Sequence, residues 1–292
     1  MKPTTLLCSL LLLAASAQAQ DLDALWDYAR PALSEQRFRA ALVQARGDEA
    51  LILQTQIARS LGLRRDFEGA RTLLLSLEPQ LATAGPEARV RQALELGRSF
   101  ISASHPSAQR TPEAREAARR AYLAALAEAR AAGLDGLAVD ALHMMAFVDS
   151  APADQLRWNR EALALAETSP QPAARRWRAS LQNNLGLSLR ELGRPQEALQ
   201  AFQAALALRE QEAPGSDGGS RLRIARWMVA HQLRLLGETE AALSQQLALE
   251  QACAAAGQPD PYVFEELEIL YRARGDAERA AHYAQRRAGM PP

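Results

Sequence analysis

Apolar and polar residues alternate with helical spacing along nearly the whole chain after residue 20. The pattern is clearest in the segment 179–212, where apolar residues recur three or four positions apart in two successive stretches. These positions are Leu185, Leu189 and Leu192 in the first stretch, and Ala198, Phe202, Ala205 and Leu206 in the second. Because one face of an α-helix repeats about every 3.6 residues, the spacing predicts two amphipathic helices. We expect the first to end near Glu191 and the second to run from Pro195 to about Glu210.

The residues between the two stretches predict a tight turn. Gly193 follows the first helix, where the chain needs a residue that tolerates a positive φ, and Pro195 starts the second helix with its φ already restricted. Gly186 and Ala198 carry little or no side chain, so the two backbones can approach closely. A single hairpin of this kind cannot bury its apolar faces, and the pattern therefore predicts a stack of such hairpins.

The segment 179–212 resembles a tetratricopeptide repeat (TPR), a helix-turn-helix unit that stacks into superhelical binding proteins. The residues at the signature positions are Leu185, Gly186, Leu189, Gly193, Ala198, Phe202 and Ala205. Gln182 and Leu189 stand where the family has Trp and Tyr, and Glu210 stands where it has Pro. The resemblance implies an all-α, right-handed α-solenoid of roughly a dozen antiparallel helices without strands.

Related helix pairs are predicted before and after this segment, at a period of about 40 residues. The equivalents of Gly186 are Ala58 and His143, and the equivalents of Gly193 are Gly237 and Gly275. A looser pair covers 86–131, and its connection 105–110 is interpreted as an insertion at the turn edge. The predicted organisation is a signal peptide (1–19), an N-terminal helical cap or degenerate repeat (20–48) and one continuous TPR-like solenoid (49–292).

The first twenty residues have the pattern of a secretory signal peptide. Lys2 provides a positive charge, Leu6 to Ala15 form an apolar segment too short to span a membrane, and Ala17-Gln18-Ala19 form a cleavage motif. We expect cleavage after Ala19 and a periplasmic or secreted protein. Cleavage would remove Cys8 and leave Cys253 alone, so no internal disulfide is expected. Cys253 lies in an alanine-rich stretch and is expected to be buried, with a reactive thiol as the alternative.

The charge balance and the motif content exclude several function classes. The chain carries 34 basic and 34 acidic residues, so no net charge attracts it to nucleic acid or to an anionic membrane. It contains no HExxH, GxSxG or paired CxxC motif and no phosphate-binding glycine loop, and its four histidines lack metal-ligand spacing. We therefore expect a binding protein rather than an enzyme, without a cofactor or a metal.

The TPR resemblance also implies which residues line a binding groove, because the first helix of each TPR hairpin faces the concave surface. The implied groove residues are Asp140, Met144 and Phe147, then Asn183, Leu187 and Arg190, then Trp227, His231 and Arg234, and finally Glu265, Ile269 and Arg272. Arg190, Arg234 and Arg272 occupy one position in three successive repeats. This arginine ladder (Arg190, Arg234, Arg272) would bind carboxylate or phosphate groups through its guanidinium forks.

Each of these residues also has a purely structural interpretation. Arginine near a helix C-terminus is favoured by the helix dipole and by solvation, without any ligand. Trp227 would then fill the space between hairpins. His143 would pack at a crowded small-residue position instead of serving a function there.

Two functions remain open from the sequence. The first is an exported scaffold whose groove holds a protein or peptide partner, recognised by an acidic segment or a free carboxylate. The second is a small-ligand-binding or regulatory accessory protein of an envelope enzyme. An open groove of mixed polarity favours the first, whereas a closed pocket in which arginine and tryptophan converge favours the second. Neither function involves nucleic acid or a transmembrane segment.

Overall fold

The computed structural model describes residues 21–212 and 219–290. The predicted signal peptide and its cleavage site therefore lie outside the described residues. Within these two ranges the chain forms sixteen α-helices and one short 3-10 helix, and it contains no strand.

The α-helices, in chain order, are α1 (Leu22–Leu25), α2 (Pro31–Leu42), α3 (Gly47–Leu63), α4 (Phe67–Ser76), α5 (Glu78–Leu81), α6 (Pro86–Phe100), α7 (Pro112–Ala131), α8 (Asp135–Val148), α9 (Pro152–Thr168), α10 (Pro172–Arg175), α11 (Arg178–Glu191), α12 (Pro195–Gln211), α13 (Ser220–Leu235), α14 (Thr239–Ala255), α15 (Pro261–Ala273) and α16 (Ala277–Ala288). The 3-10 helix, Ser107–Gln109, lies in the predicted insertion between α6 and α7.

Twelve of these helices form six successive pairs, which are α3–α4, α6–α7, α8–α9, α11–α12, α13–α14 and α15–α16. The second helix of each pair also packs on the first helix of the next pair. α2 packs on α3 in front of the first pair. This arrangement confirms the predicted all-α solenoid of stacked helix pairs.

The central hairpin has the turn and the close approach that its sequence predicts. Gly193 adopts a φ of 69° between α11 and α12. A Cβ atom added to Gly186 would lie 2.4 Å from the Phe202 ring, so the ring occupies the space that a side chain would need. In the first pair the corresponding turn has no glycine, and Arg65 itself adopts a φ of 67° there. An L-residue rarely adopts this conformation, so the turn geometry is imposed by the packing of α3 and α4.

One apolar core runs through most of the stack. Its buried residues extend without interruption from Val90 in α6 to Tyr283 in α16. A separate cluster around Phe38 and Leu53 joins α2 to α3. Cys253 is only 2% exposed in the continuous core, and burial raises the pKa of its thiol. The prediction that Cys253 is a buried residue is therefore confirmed.

The N-terminal segment links two distant helix pairs. Trp26 donates from Nε1 to Oε1 of Gln56 in α3 at 3.2 Å. Asp23 forms an ion pair with Arg176, beside α10, at 2.7 Å. The stretch from Asp23 to Trp26 spans at most about 11 Å. Because one short segment reaches both the first pair and the start of the fourth, the stack must curve strongly.

Candidate functional site

The first helices of the pairs lie on the inner side of the curved stack. α3 contacts α6, α6 contacts α8, and α13 contacts α15. The second helices pack between the first helix of their own pair and that of the next. Equivalent helices approach one another most closely on the inside of a curve, so the first helices form the concave side. The helices that carry the predicted groove residues, α8, α11, α13 and α15, are all first helices.

The predicted groove residues differ in accessibility. Asp140 and Met144 are buried, with exposed fractions of 7% and 6%. The half-buried members are Phe147, Asn183, Leu187, Arg190, Trp227, His231, Arg234, Glu265 and Ile269, whereas Arg272 is exposed. Asp140 and Met144 therefore lie below the inner surface, while most of the others are partly accessible from it.

Two members of the arginine ladder are already bonded to carboxylates of the protein. Arg234 donates from Nε and Nη2 to the two carboxylate oxygens of Glu266, at 2.7 and 2.9 Å. Arg272 donates to Glu268 Oε1 at 2.7 Å. Only Arg190 forms no ion pair or hydrogen bond through its side chain within the described residues. The arginine ladder is therefore not available as a whole to an external carboxylate or phosphate, because α15 supplies acidic side chains to Arg234 and Arg272.

A recurrent pairing joins successive inner helices. In each case an Arg or His immediately follows the residue that is equivalent to Gly186 in its helix. It pairs with an Asp or Glu of the next inner helix, two or three residues before the Gly186-equivalent position of that helix. The three pairs are Arg59 with Glu95 at 3.1 Å, Arg98 with Asp140, and His231 with Glu266 at 2.9 Å. Each pair crosses from one helix pair to the next, so these side-chain contacts fix neighbouring repeats relative to each other.

Four of these residues form an N-terminal network (Arg59, Glu95, Arg98, Asp140) on α3, α6 and α8. Arg98 donates from Nη1 to Glu95 at 2.6 Å and from Nη2 to Asp140. Burial alone would raise the pKa of Asp140, but the Arg98 and Arg59 guanidiniums together outweigh it and hold that pKa below its usual value. The two carboxylates in turn raise the pKa of Arg98, against the effect of burial. Arg98 and Asp140 therefore stay charged at neutral pH.

His143 packs beside this network as a neutral side chain. Its ring lies 5.3 Å from the Phe147 ring and 5.1 Å from the Trp177 ring, measured between centroids. Nδ1 lies 3.4 Å from the side-chain nitrogen of Asn184 in the next inner helix. Burial lowers the pKa of His143 to about 4. These contacts agree with the interpretation of His143 as a packed residue.

The C-terminal inner helices carry an aromatic cluster beside a C-terminal network of bonded side chains (His231, Arg234, Glu266). Trp227 stacks on His231 with ring centroids 4.6 Å apart, and its Nε1 donates to the carbonyl oxygen of Tyr262 at 3.3 Å. The Tyr262 side chain is largely exposed. Trp227 therefore joins α13 to α15 and also leaves aromatic surface accessible.

Sequence reasoning did not identify Arg59, Glu95 and Arg98 as important. The sequence pattern that could have identified them is a basic residue at one position of a repeat and an acidic residue at a nearby position of the next repeat. In the chain these positions are separated by the whole second helix, so only the register of the stack shows which of them meet.

The described residues show no feature of a metal centre or a membrane span. Their His, Cys, Asp and Glu side chains form no group of three that could hold a metal ion. None of the helices in the described ranges has both the length and the apolarity needed to cross a membrane.

No family model matches the chain, and no curated protein matches it. Among solved structures, the chain is similar to NprR in complex with its cognate peptide NprX, with 15% identity, a TM-score of 0.50, and coverage of 91% of this chain and 75% of that chain. It is also similar to BtubC (BKLC) from P. vanneervenii, with 15% identity, a TM-score of 0.41 and coverage of 94% of both chains. At such identities the likeness concerns the fold alone, and the likeness to NprR supports a helical-repeat fold for this chain.

Proposed function

We propose that this chain is an exported, non-catalytic TPR-type scaffold that binds an extended peptide segment of a partner protein on α11 and α13. The observation that carries the proposal is the state of two polar side chains on α11. Asn183 and Arg190 are half-buried on an inner helix, and neither forms a side-chain hydrogen bond or ion pair within the described residues. Half-buried side chains of this kind hydrogen-bond to water in the free protein, and an external partner can replace that water.

The surroundings of Asn183 favour a peptide. Asn183 lines a cavity of about 270 Å³ together with Ser180 and Arg209. Leu187 packs against the core from the same helix. The neighbouring α13 adds the exposed Ile224. An amide, an unpaired guanidinium and apolar side chains together match a peptide, whose backbone offers donors and acceptors and whose side chains bury apolar area.

NprR provides support from a protein of similar fold, since its structure was solved with a cognate peptide bound. Arg190 is the part of the surface that would interact with an acidic side chain or a carboxylate. Because only one guanidinium of the arginine ladder is unpaired, we expect charge to contribute less to the binding free energy than three unpaired guanidiniums would.

The test is affinity capture from an envelope extract with the chain as bait, followed by titration of the captured partner against variants. Arg190→Ala and Leu187→Ala should each weaken binding by about fivefold or more, since the few residues that dominate an interface lie near its centre and each contributes more than about 1 kcal/mol. The matched controls are Arg160→Ala and Leu123→Ala, which change exposed residues of second helices. A partner that binds both inner-surface variants as tightly as the wild type would contradict the proposal.

Export has its own test. The positively charged start, the apolar segment and the Ala17-Gln18-Ala19 motif support cleavage after Ala19. Mass spectrometry of the protein from its native cell should show a mature chain that begins at or near Gln20. A major species that retains residues 1–19 would exclude processing by signal peptidase.

A further inference from the structure

A cavity of about 170 Å³ lies among α3, α6 and α8, away from the surface proposed to bind peptide. Its wall is mostly apolar and includes Leu63, Met144 and Phe147. The loop that follows α6 contributes Ser102 and Ala103. A cavity of about 150 Å³ is large enough to hold a benzene-sized molecule. The α3–α6–α8 cavity can therefore hold an apolar group of six to eight non-hydrogen atoms, by the same scale.

Two guanidiniums line the cavity, and they differ in how fully they are bonded. Arg98 is bonded to both Glu95 and Asp140. Arg59 donates only from Nη1 to Glu95, at 3.1 Å, and its buried Nε has no hydrogen-bond partner. Its side chain is 25% exposed, so part of it is accessible. Arg59 is thus the cation at the cavity with donors to spare.

Three further arginines place positive charge directly behind the cavity wall. Each donates to a backbone carbonyl oxygen of a residue that lines the cavity: Arg71 to Ser99 at 2.7 Å, Arg110 to Ser102 and Ala103 at 3.4 Å, and Arg115 to Phe147 at 3.4 Å. Within the described residues, none of the three forms an ion pair with a carboxylate. Two guanidiniums therefore line the cavity and three lie behind its wall, and the only carboxylates of the described residues bonded to any of the five are Glu95 and Asp140.

The histidines at the cavity respond to the same charges. The pKa of His105 is lowered by burial and further by Arg110 and Arg71. His143, which lines the cavity, is also neutral at pH 7, because burial lowers its pKa to about 4. Glu95 also lines the cavity, and its buried Oε2 has no hydrogen-bond partner within the described residues. The five guanidiniums outnumber the two carboxylates, Glu95 and Asp140, so the local charge is positive.

We propose that the α3–α6–α8 cavity binds a small apolar carboxylate, with the apolar group against Met144 and Phe147 and the carboxylate on Arg59. The apolar wall and the volume select the group that is buried. The excess of guanidiniums favours a ligand with a negative charge, and a carboxylate matches the donor geometry of a guanidinium. Such a ligand could be a free carboxylic acid or the C-terminal residue of a polypeptide, which present the same chemistry.

The test uses 4-methylpentanoate and its uncharged analogue 4-methylpentanamide, titrated into the purified full chain by calorimetry and by saturation-transfer NMR. We expect millimolar or tighter binding of the acid, as befits a ligand of this size. The acid should bind about tenfold more tightly than the amide, because only the acid forms charge-assisted hydrogen bonds. A short peptide that ends in Leu, with a free or an amidated C-terminus, distinguishes the sources. Tighter binding of the free peptide than of the small acid identifies a polypeptide end, and the reverse identifies a free acid.

Two variants locate the site. Arg59→Gln should remove the preference for the acid, and Glu95 keeps its bond to Arg98 in that variant. Gly62→Leu should weaken acid and amide alike, because Gly62 lines the cavity and an added Cβ meets no atom within 4 Å. The controls are Arg120→Gln and Ala164→Leu, both at exposed helix positions. Equal binding of acid and amide, no binding at about 20 mM acid, or an acid affinity unchanged in both variants would overturn the proposal. Since the peptide surface is tested by changes in α11, either proposal can fail while the other stands.

Discussion

The N-terminal network and the C-terminal network use equivalent inner positions but differ in how far they are removed from water. In the N-terminal network the side chains of Arg98, Asp140 and Glu95 are 12%, 10% and 4% exposed, and Arg59 at its edge is 25% exposed. In the C-terminal network Glu266 is also 4% exposed, but Arg234 is 21% exposed and the carboxylate keeps a second donor in His231. Arg98 holds two carboxylates, whereas Glu266 is held by two donors.

This difference shows that one pairing pattern can have different energetic consequences along a repeat protein. A buried ion pair gains little net free energy relative to apolar residues, but the loss of one member leaves an uncompensated charge. Removing one member of a more exposed ion pair costs less free energy of unfolding, because water solvates the charge that remains. Loss of one charged side chain should therefore lower the free energy of unfolding more in the N-terminal network than in the C-terminal network.

The largest effect is expected for Arg98→Met. The change leaves Glu95 and Asp140 buried, and Asp140 then has no ion-pair partner within the described residues. We expect the free energy of unfolding to fall by about 3–5 kcal/mol, measured by urea denaturation. Combining Arg98→Met with Glu95→Gln and Asp140→Asn should restore most of that loss, because the charges are removed together.

The matched control for this prediction is Arg120→Met, which removes an exposed partner of Glu116 on α7. That change should cost less than about 1 kcal/mol. If Arg98→Met were equally mild, the network would have to be accessible to water, and the contrast between the two regions would disappear.

A pH-dependent effect of intermediate size is expected at His143. Its pKa is about 4 in the folded protein and about 6.5 when unfolded. Between these values the unfolded state binds a proton that the folded state does not, so stability is complete above about pH 6.5 and falls towards pH 4. This group should account for a loss of roughly 2 kcal/mol between pH 7 and pH 5. His143→Gln should remove that part of the pH dependence in urea titrations, and identical pH profiles for the two proteins would refute the assignment.

The smallest effect is expected for Arg234→Ala in the C-terminal network. Glu266 loses two hydrogen bonds but keeps His231 at 2.9 Å. We expect a loss of about 1–2 kcal/mol in urea denaturation, near the lower end for a bond between charged groups. Arg272→Ala, whose side chain is 70% exposed, serves as the control and should change stability by less than about 0.5 kcal/mol. An Arg234→Ala variant as stable as this control would mean that the Glu266 pair contributes nothing to the stack.

The helix pairs could be predicted from the sequence because their determinants are local. Gly193 and Pro195 mark the end of one helix and the start of the next, and in the structure α11 ends at Glu191 and α12 begins at Pro195. The absence of bulk at Gly186 correctly indicated close packing, since Phe202 fills that space. Helical spacing and turn chemistry act over a few residues, so a single sequence contains them in full.

The site was predicted less well because its residues meet across repeats. Arg234 was expected to be available for a ligand, yet Glu266 binds it from a helix 32 positions further along the chain. Arg190 stands at the equivalent position and has no such partner within the described residues. The two arginines have the same place in their repeats, so nothing local distinguishes them.

The sequence by itself therefore determined the helical periods, the turns between paired helices and the small residues that let those helices approach. Only the tertiary structure decided which charged side chains remain available on the inner surface. Availability depends on the register between adjacent inner helices and on the curvature that brings Asp23 to Arg176. Both arise from the packing of whole helix pairs, and electrostatic pairing acts over distances of a few ångströms in space and not along the chain.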